Sequence, residues 1–73
     1  MEHPQWRRPV QAAGLDITGP LEAIQFMDHR WPGVKAMSFA TAHQSCLAAL
    51  DGREKPDHAR DCFKQAVDEA QLH

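Results

Sequence analysis

Four side chains in this sequence have the types and spacing to hold a metal ion. They are His43 and Cys46, three residues apart, and His58 and Cys62, four residues apart. On a helix, spacings of three and four place both members of a pair on one face. Two imidazoles and two thiolates are a sufficient donor set for tetrahedral zinc. The competing role is packing. A free cysteine is among the most buried residue types and packs as a small hydrophobe. Both cysteines lie on apolar stripes, both histidines at the stripe edges, and there is no Cys-x-x-Cys knuckle. Packing is the stronger reading, so no cofactor is expected; a metal- or redox-responsive role for His43, Cys46, His58 and Cys62 is the alternative.

Nucleophilic chemistry has less to work with. His43 lies one turn from Cys46, and Ser38, Ser45 and Cys62 are further hydroxyls and thiols. A nucleophile needs an activating base, a residue that orients the base, and a pocket. No third residue stands out, and a chain this short is expected to leave no hollow of several hundred Å3. The sequence therefore reads as non-catalytic.

Two clusters could bind macromolecules instead. Arg7 and Arg8 beside Trp6 can contact phosphates while the indole stacks on a base. Yet no helix carries a basic face, and the stretch after Pro56 holds Arg60 and Lys64 against Asp57, Asp61, Asp68 and Glu69. Nucleic acid is not an expected partner. His29-Arg30-Trp31-Pro32-Gly33 places a cation and a large aromatic in a loop at a helix end. Arg and Trp are enriched at binding hot spots, and loops carry function. Arg30 and Trp31 are thus the candidate contacts for a protein partner, unless Trp31 folds back onto the core.

These residues must be positioned by a small domain. The chain has 73 residues, of which 42% are apolar and 25% charged, a balance that suits one globular domain and excludes a two-domain enzyme. No apolar run approaches the ~18 residues that a membrane span needs. Arg7 and Arg8 are not followed by an apolar secretory core. Two cysteines without an export signal suit a reducing cytoplasm.

The expected architecture is α+β, a short antiparallel β-hairpin packed against three α-helices in a single domain over residues 1–73. Residues 1–5 read as loose, and Trp6 as the first residue to pack. Val10-Gln11-Ala12-Ala13 and Leu15-Asp16-Ile17-Thr18 form the hairpin, about residues 10–18, around Gly14, with Val10, Ala12, Leu15 and Ile17 inward by the period of two. The first helix runs over about 20–30 from Pro20, with Leu21, Ala23, Ile24 and Met27 as its stripe. Trp31-Pro32-Gly33 stops it. The second runs over about 38–50 from a Ser38 cap, with Phe39, Ala42, Cys46, Ala49 and Leu50 inward and Gly52 as the stop. The third runs over about 56–71 from Pro56, with Ala59, Cys62, Phe63, Ala66, Val67 and Ala70 inward. Asp68 and Glu69 oppose the helix dipole at its end, which is expected to fray. The stretch 31–50 carries a single charge, Lys35, and is expected to supply much of the core. A two-stranded hairpin has two open edges, so strand addition or a homodimer through one of them is possible.

The succession Trp6-x-x-Pro9-Val10, Pro20-Leu21-Glu22-Ala23, Arg30-Trp31-Pro32, Ala42-x-x-x-Cys46-x-x-Ala49-Leu50-x-Gly52, Ala59-Arg60-x-x-Phe63 and Ala66-x-x-Glu69-Ala70 spans nearly the whole chain. In this order the elements resemble a family of short alphaproteobacterial, mostly rhizobial, proteins catalogued as domain of unknown function 982. The resemblance implies no activity, cofactor or catalytic residue, so none is placed on these positions.

Overall fold

The structure, a computed structural model, describes residues 5–72. The elements follow in the order β1 (Val10–Ala12), β2 (Leu15–Ile17), α1 (Pro20–His29), α2 (Met37–Leu50) and α3 (Pro56–Glu69). This is the α+β arrangement expected, a two-stranded antiparallel sheet with three helices. The expectation of a loose start falls outside the described residues except for Gln5, which is exposed.

The hairpin turns on two residues, not one. Ala13 joins Gly14 in the loop, and both have positive φ, 51° and 81°. Two such residues in succession match the right-handed twist of the flanking strands, which is why they close tight hairpins. Ala13 adopts this backbone despite its Cβ, at a cost of about 1 kcal/mol or more. Val10 pairs with Ile17, Gln11 with Asp16, and Ala12 with Leu15. Val10, Ala12 and Ile17 are buried as the alternation predicts, but Leu15, next to the turn and on the edge strand that borders the groove, is 38% exposed.

Each helix start lacks a side-chain cap at its own N-cap residue, which is Gly19, Ala36 and Lys55 in turn. At α1 and α3 a proline in the first turn removes one orphan N–H. At α1, Glu22 also reaches back and accepts hydrogen bonds from the backbone N–H and hydroxyl of Thr18. This resembles a capping box displaced by one residue. Ser38 does not cap α2, since the helix begins one residue earlier at Met37.

The two long helices end alike. After α2, the amide of Gly52 donates to Ala49 and that of Arg53 to Ala48. After α3, the amide of Gln71 donates to Asp68 and that of Leu72 to Val67. Both are Schellman motifs, with the residue in the left-handed conformation being Gly52 at one and Gln71, at φ 57°, at the other. The end of α3 is therefore capped rather than frayed, and Leu72 O accepts a hydrogen bond from Ala13 N at 2.6 Å. The unfavourable dipole term of Asp68 and Glu69 is worth only ~0.3–1 kcal/mol at an exposed site and does not decide the outcome.

The core gathers around Phe63. Its ring meets Trp6 at 5.8 Å and Phe26 edge-on at 6.2 Å between centroids. Trp6 is 6% exposed and packs first, as expected. Phe26, not named in the predicted stripe, is buried with Pro20, Ala23, Ile24 and Met27, whereas Leu21 is half-exposed. The predicted stripe follows Leu21, while the helix turns its 23-26-27 ridge inward. The low-charge stretch serves the core through Phe39, Ala42, Cys46 and Ala49, with Trp31 and Leu50 packed against it, whereas residues 32–37 are all exposed. Absence of charge there marks a surface loop as well as a core helix.

Candidate functional site

The four predicted metal donors are split between two places. His43 turns toward α1, where its Nε2 meets Asp28 Oδ1 at 2.9 Å and its ring stacks on Phe39. Cys46 is fully buried, and burial first, then the neighbouring Cys62 and Glu54, push its thiol up to about 12. Such a thiol is neither a nucleophile nor a ready ligand at neutral pH. Cys62 is half-buried. It accepts a hydrogen bond from Ser45 Oγ at 3.4 Å and lies 3.7 Å from His58 Nε2. That nitrogen also meets Glu54 Oε1 at 3.1 Å. Both cysteines are free thiols. Among the described residues, no group of three or more His, Cys, Asp or Glu is placed to hold a metal ion. The four-ligand site considered above is thus not assembled, because α2 aims its histidine at α1 and its cysteine at the core.

Trp6 is likewise withdrawn from any stacking role, since its indole packs on Phe63 inside the core. Arg7 and Arg8 border a hollow that also holds Asp57, Asp61 and Arg60. Acidic groups line it beside the basic ones, which is a poor surface for phosphate.

Trp31 follows the inward path. Its ring meets Phe39 edge-on at 5.0 Å and Phe26 edge-on at 5.8 Å. Its indole N–H donates to Val34 O at 3.3 Å. The half-buried indole is therefore a post that shapes the loop between α1 and α2, while Arg30 beside it is exposed. Two residues that spacing did not single out stand out here, one on that loop and one at the first position of α2. Val34 is 85% exposed and Met37 is 81% exposed. Lys35 sits between them with its Nζ 5.4 Å from the Phe39 ring centre. The segment thus offers two exposed apolar residues on either side of Lys35, with Arg30 preceding them. The signal available in the sequence was two large aliphatic residues in and just after a Pro-Gly loop, where period-based reading has no purchase.

Contrary to the expectation from size, the surface does hold hollows of several hundred Å3. One of about 480 Å3 lies between β2 and α1, with Leu15, Ile17 and Phe26 as its apolar part and Asp16, His29 and Arg30 among its polar residues. Another of about 460 Å3 lies by the α2–α3 turn, next to Arg53 and Glu54. The first is lined by His29 without a serine, threonine or cysteine, and the second by Thr41, Ser45 and Glu54 without a histidine. Among the described residues, no helix is long and apolar enough to cross a membrane.

Fold and surface together define a small α+β domain whose distinctive features are an exposed apolar–cationic loop and an open sheet edge. The chain belongs to the family described as "Protein of unknown function (DUF982)", which it matches over residues 9–73. No curated protein and no solved structure matches it.

Proposed function

We propose that the protein is a small, non-catalytic, cytoplasmic interaction module that binds a protein partner through the α1–α2 loop. The observation that carries this reading is the exposure of Val34, on a loop braced by Trp31, and of Met37, the first residue of α2. Isolated exposed apolar residues are ordinary, but here two large ones share one short stretch with two cations. Apolar side chains beside polar and charged ones are the anatomy of a protein-binding patch. In this reading Arg30 contacts the partner and Trp31 acts by holding the loop in shape. The metal- or redox-responsive alternative has less support, because His43 is committed to Asp28 and Cys46 is sealed in the core.

A photo-crosslinking residue placed at position 34 or 37, in cells that make the protein, tests this. A defined protein adduct is expected from both positions and not from position 55, which is exposed on another turn. The doubly substituted Val34→Asp, Met37→Asp chain should keep its circular dichroism and lose the adduct when the probe sits at position 30. Equal adducts from position 55, or none from the loop, would overturn the proposal.

A further inference from the structure

We infer that the free edge of β2 takes up an extended segment of a partner protein with the pattern apolar–cation–apolar. The inference stands on the hairpin and its neighbouring groove, independently of the α1–α2 loop. The two-residue turn makes Ala12 and Leu15 the hydrogen-bonded pair that closes it. The next pair, Gln11 and Asp16, is then of the non-hydrogen-bonded kind. The amide and carbonyl of Asp16 therefore point away from β1, toward solvent and the groove. The opposite edge differs. Arg60 Nε donates to Arg8 O at 2.8 Å, just before β1, and Leu72 O accepts from Ala13 N, just after it. The residues flanking β1 are held by α3 and by Leu72 just beyond it, and among the described residues none bonds to the outer edge of β2.

A strand added antiparallel to β2 would exchange both backbone hydrogen bonds with Asp16 through one of its residues. The two residues flanking that one would point to the sheet face that carries Leu15 and Ile17. There they meet the apolar part of the groove, which Phe26 completes. Burying Leu15, the exposed leucine of the sheet, is the hydrophobic contribution. The central residue shares its face with the Asp16 carboxylate, whose side-chain partner among the described residues is Gln11 at 3.2 Å. Opposite charges across strands attract and like charges repel. The central residue is therefore a lysine or arginine. The same rule disfavours a second copy of this chain as the occupant. Two-fold pairing of β2 with itself in this register would set two Asp16 carboxylates directly opposite each other.

The test is fluorescence anisotropy with labelled, end-blocked heptapeptides centred on Val-Lys-Val, on Val-Glu-Val, and on Val-Lys-Val with the lysine amide N-methylated. The first should bind saturably, the second about fivefold more weakly, and the third not at all, since methylation removes a hydrogen bond to Asp16. Asp16→Lys should exchange the order of the first two peptides. Asp16→Asn, which retains the hydrogen bond to Gln11, should level them. The Val34→Asp, Met37→Asp chain should bind as the unaltered protein does. Absence of saturable binding to Val-Lys-Val at up to about 1 mM, indifference to peptide charge, or indifference to N-methylation would each overturn the inference. None of these results bears on the crosslinking at the α1–α2 loop, so the two readings fail separately.

Discussion

The two edges of the hairpin differ in the amino-acid sequence by little more than Pro9 ahead of β1 and Asp16 within β2, and differ sharply in the molecule. The residues on either side of β1 are bound by the Arg60 guanidinium of α3 at one end and by the Leu72 carbonyl, just beyond α3, at the other. β2 borders a groove, with Leu15 partly in solvent and Asp16 presenting its backbone outward. A two-stranded sheet is marginal alone and needs cover. Here the cover is asymmetric: α3 packs on the β1 side, and among the described residues none bonds to the outer edge of β2. Open edges invite unwanted pairing, and natural proteins blunt them with short strands and charge. β2 has three residues and carries Asp16, so both devices are present.

Breaking the covered side should have the largest effect. Phe63→Ala removes the ring between Trp6 and Phe26 and is expected to cost about 3–5 kcal/mol. That is a large share of the stability of a domain this small, for which ~5 kcal/mol is typical. Urea denaturation followed by circular dichroism should show the variant largely unfolded without denaturant. A cost under about 1 kcal/mol would mean that α3 does not organise the core.

Strengthening the same side is the next test. Gln71 adopts the left-handed conformation at the end of α3. Gln71→Gly should relieve that strain and stabilise by about 1 kcal/mol, which raises Tm by roughly 4–8 °C in a domain of this size. Ala13→Asn, in the turn that meets Leu72, should act in the same direction by about 0.5–1 kcal/mol. If both sites act through the one contact between Ala13 N and Leu72 O, the double substitution will depart from additivity.

The open side should be indifferent to comparable changes. Leu15→Lys is expected to alter stability by no more than about 0.5 kcal/mol in urea titration, as for other surface positions. A larger loss would show that the β2 edge is structurally required.

The smallest effect is one of pH. The Thr18 hydroxyl and amide hold the Glu22 carboxyl below its ordinary value of 4.5. Its folded-state value is depressed, so its contribution is present above the ordinary carboxylate range and is lost as pH falls through the lowered value. Glu22→Gln should flatten that acid limb of the stability curve and change little at neutral pH. An unchanged acid limb would show that the bond to Thr18 does not form in solution.

The legibility of the fold varied with the kind of signal. Gly52 marked the end of α2 because a glycine after an apolar stripe has a specific backbone use. Gln71 does the same task at the end of α3 without any such mark, so the motif there was invisible and fraying was expected instead. Phe26 escaped notice because Leu21 offered an equally regular stripe, and only packing against Phe63 and Trp31 distinguishes the two. The candidate site was legible in part. Arg30 and Trp31 stood out by residue type, whereas Val34 and Met37 needed the observed exposure. The His and Cys pairs stood out most strongly, yet His43 turns to Asp28 while His58 stays beside Cys62, since spacing along a helix sets a face and not the object that face meets.

What the sequence determined by itself is the set of elements. Alternation, apolar periodicity, prolines at helix starts and the Gly14 turn are local properties, and local sterics and hydrogen bonding suffice to impose them. Which edge of the hairpin is covered, which way Trp31 turns and which neighbour His43 meets were decided by the tertiary structure. Each depends on contacts between residues far apart in the chain, as between Arg8 and Arg60 or Asp28 and His43, and no periodicity within a single element records them.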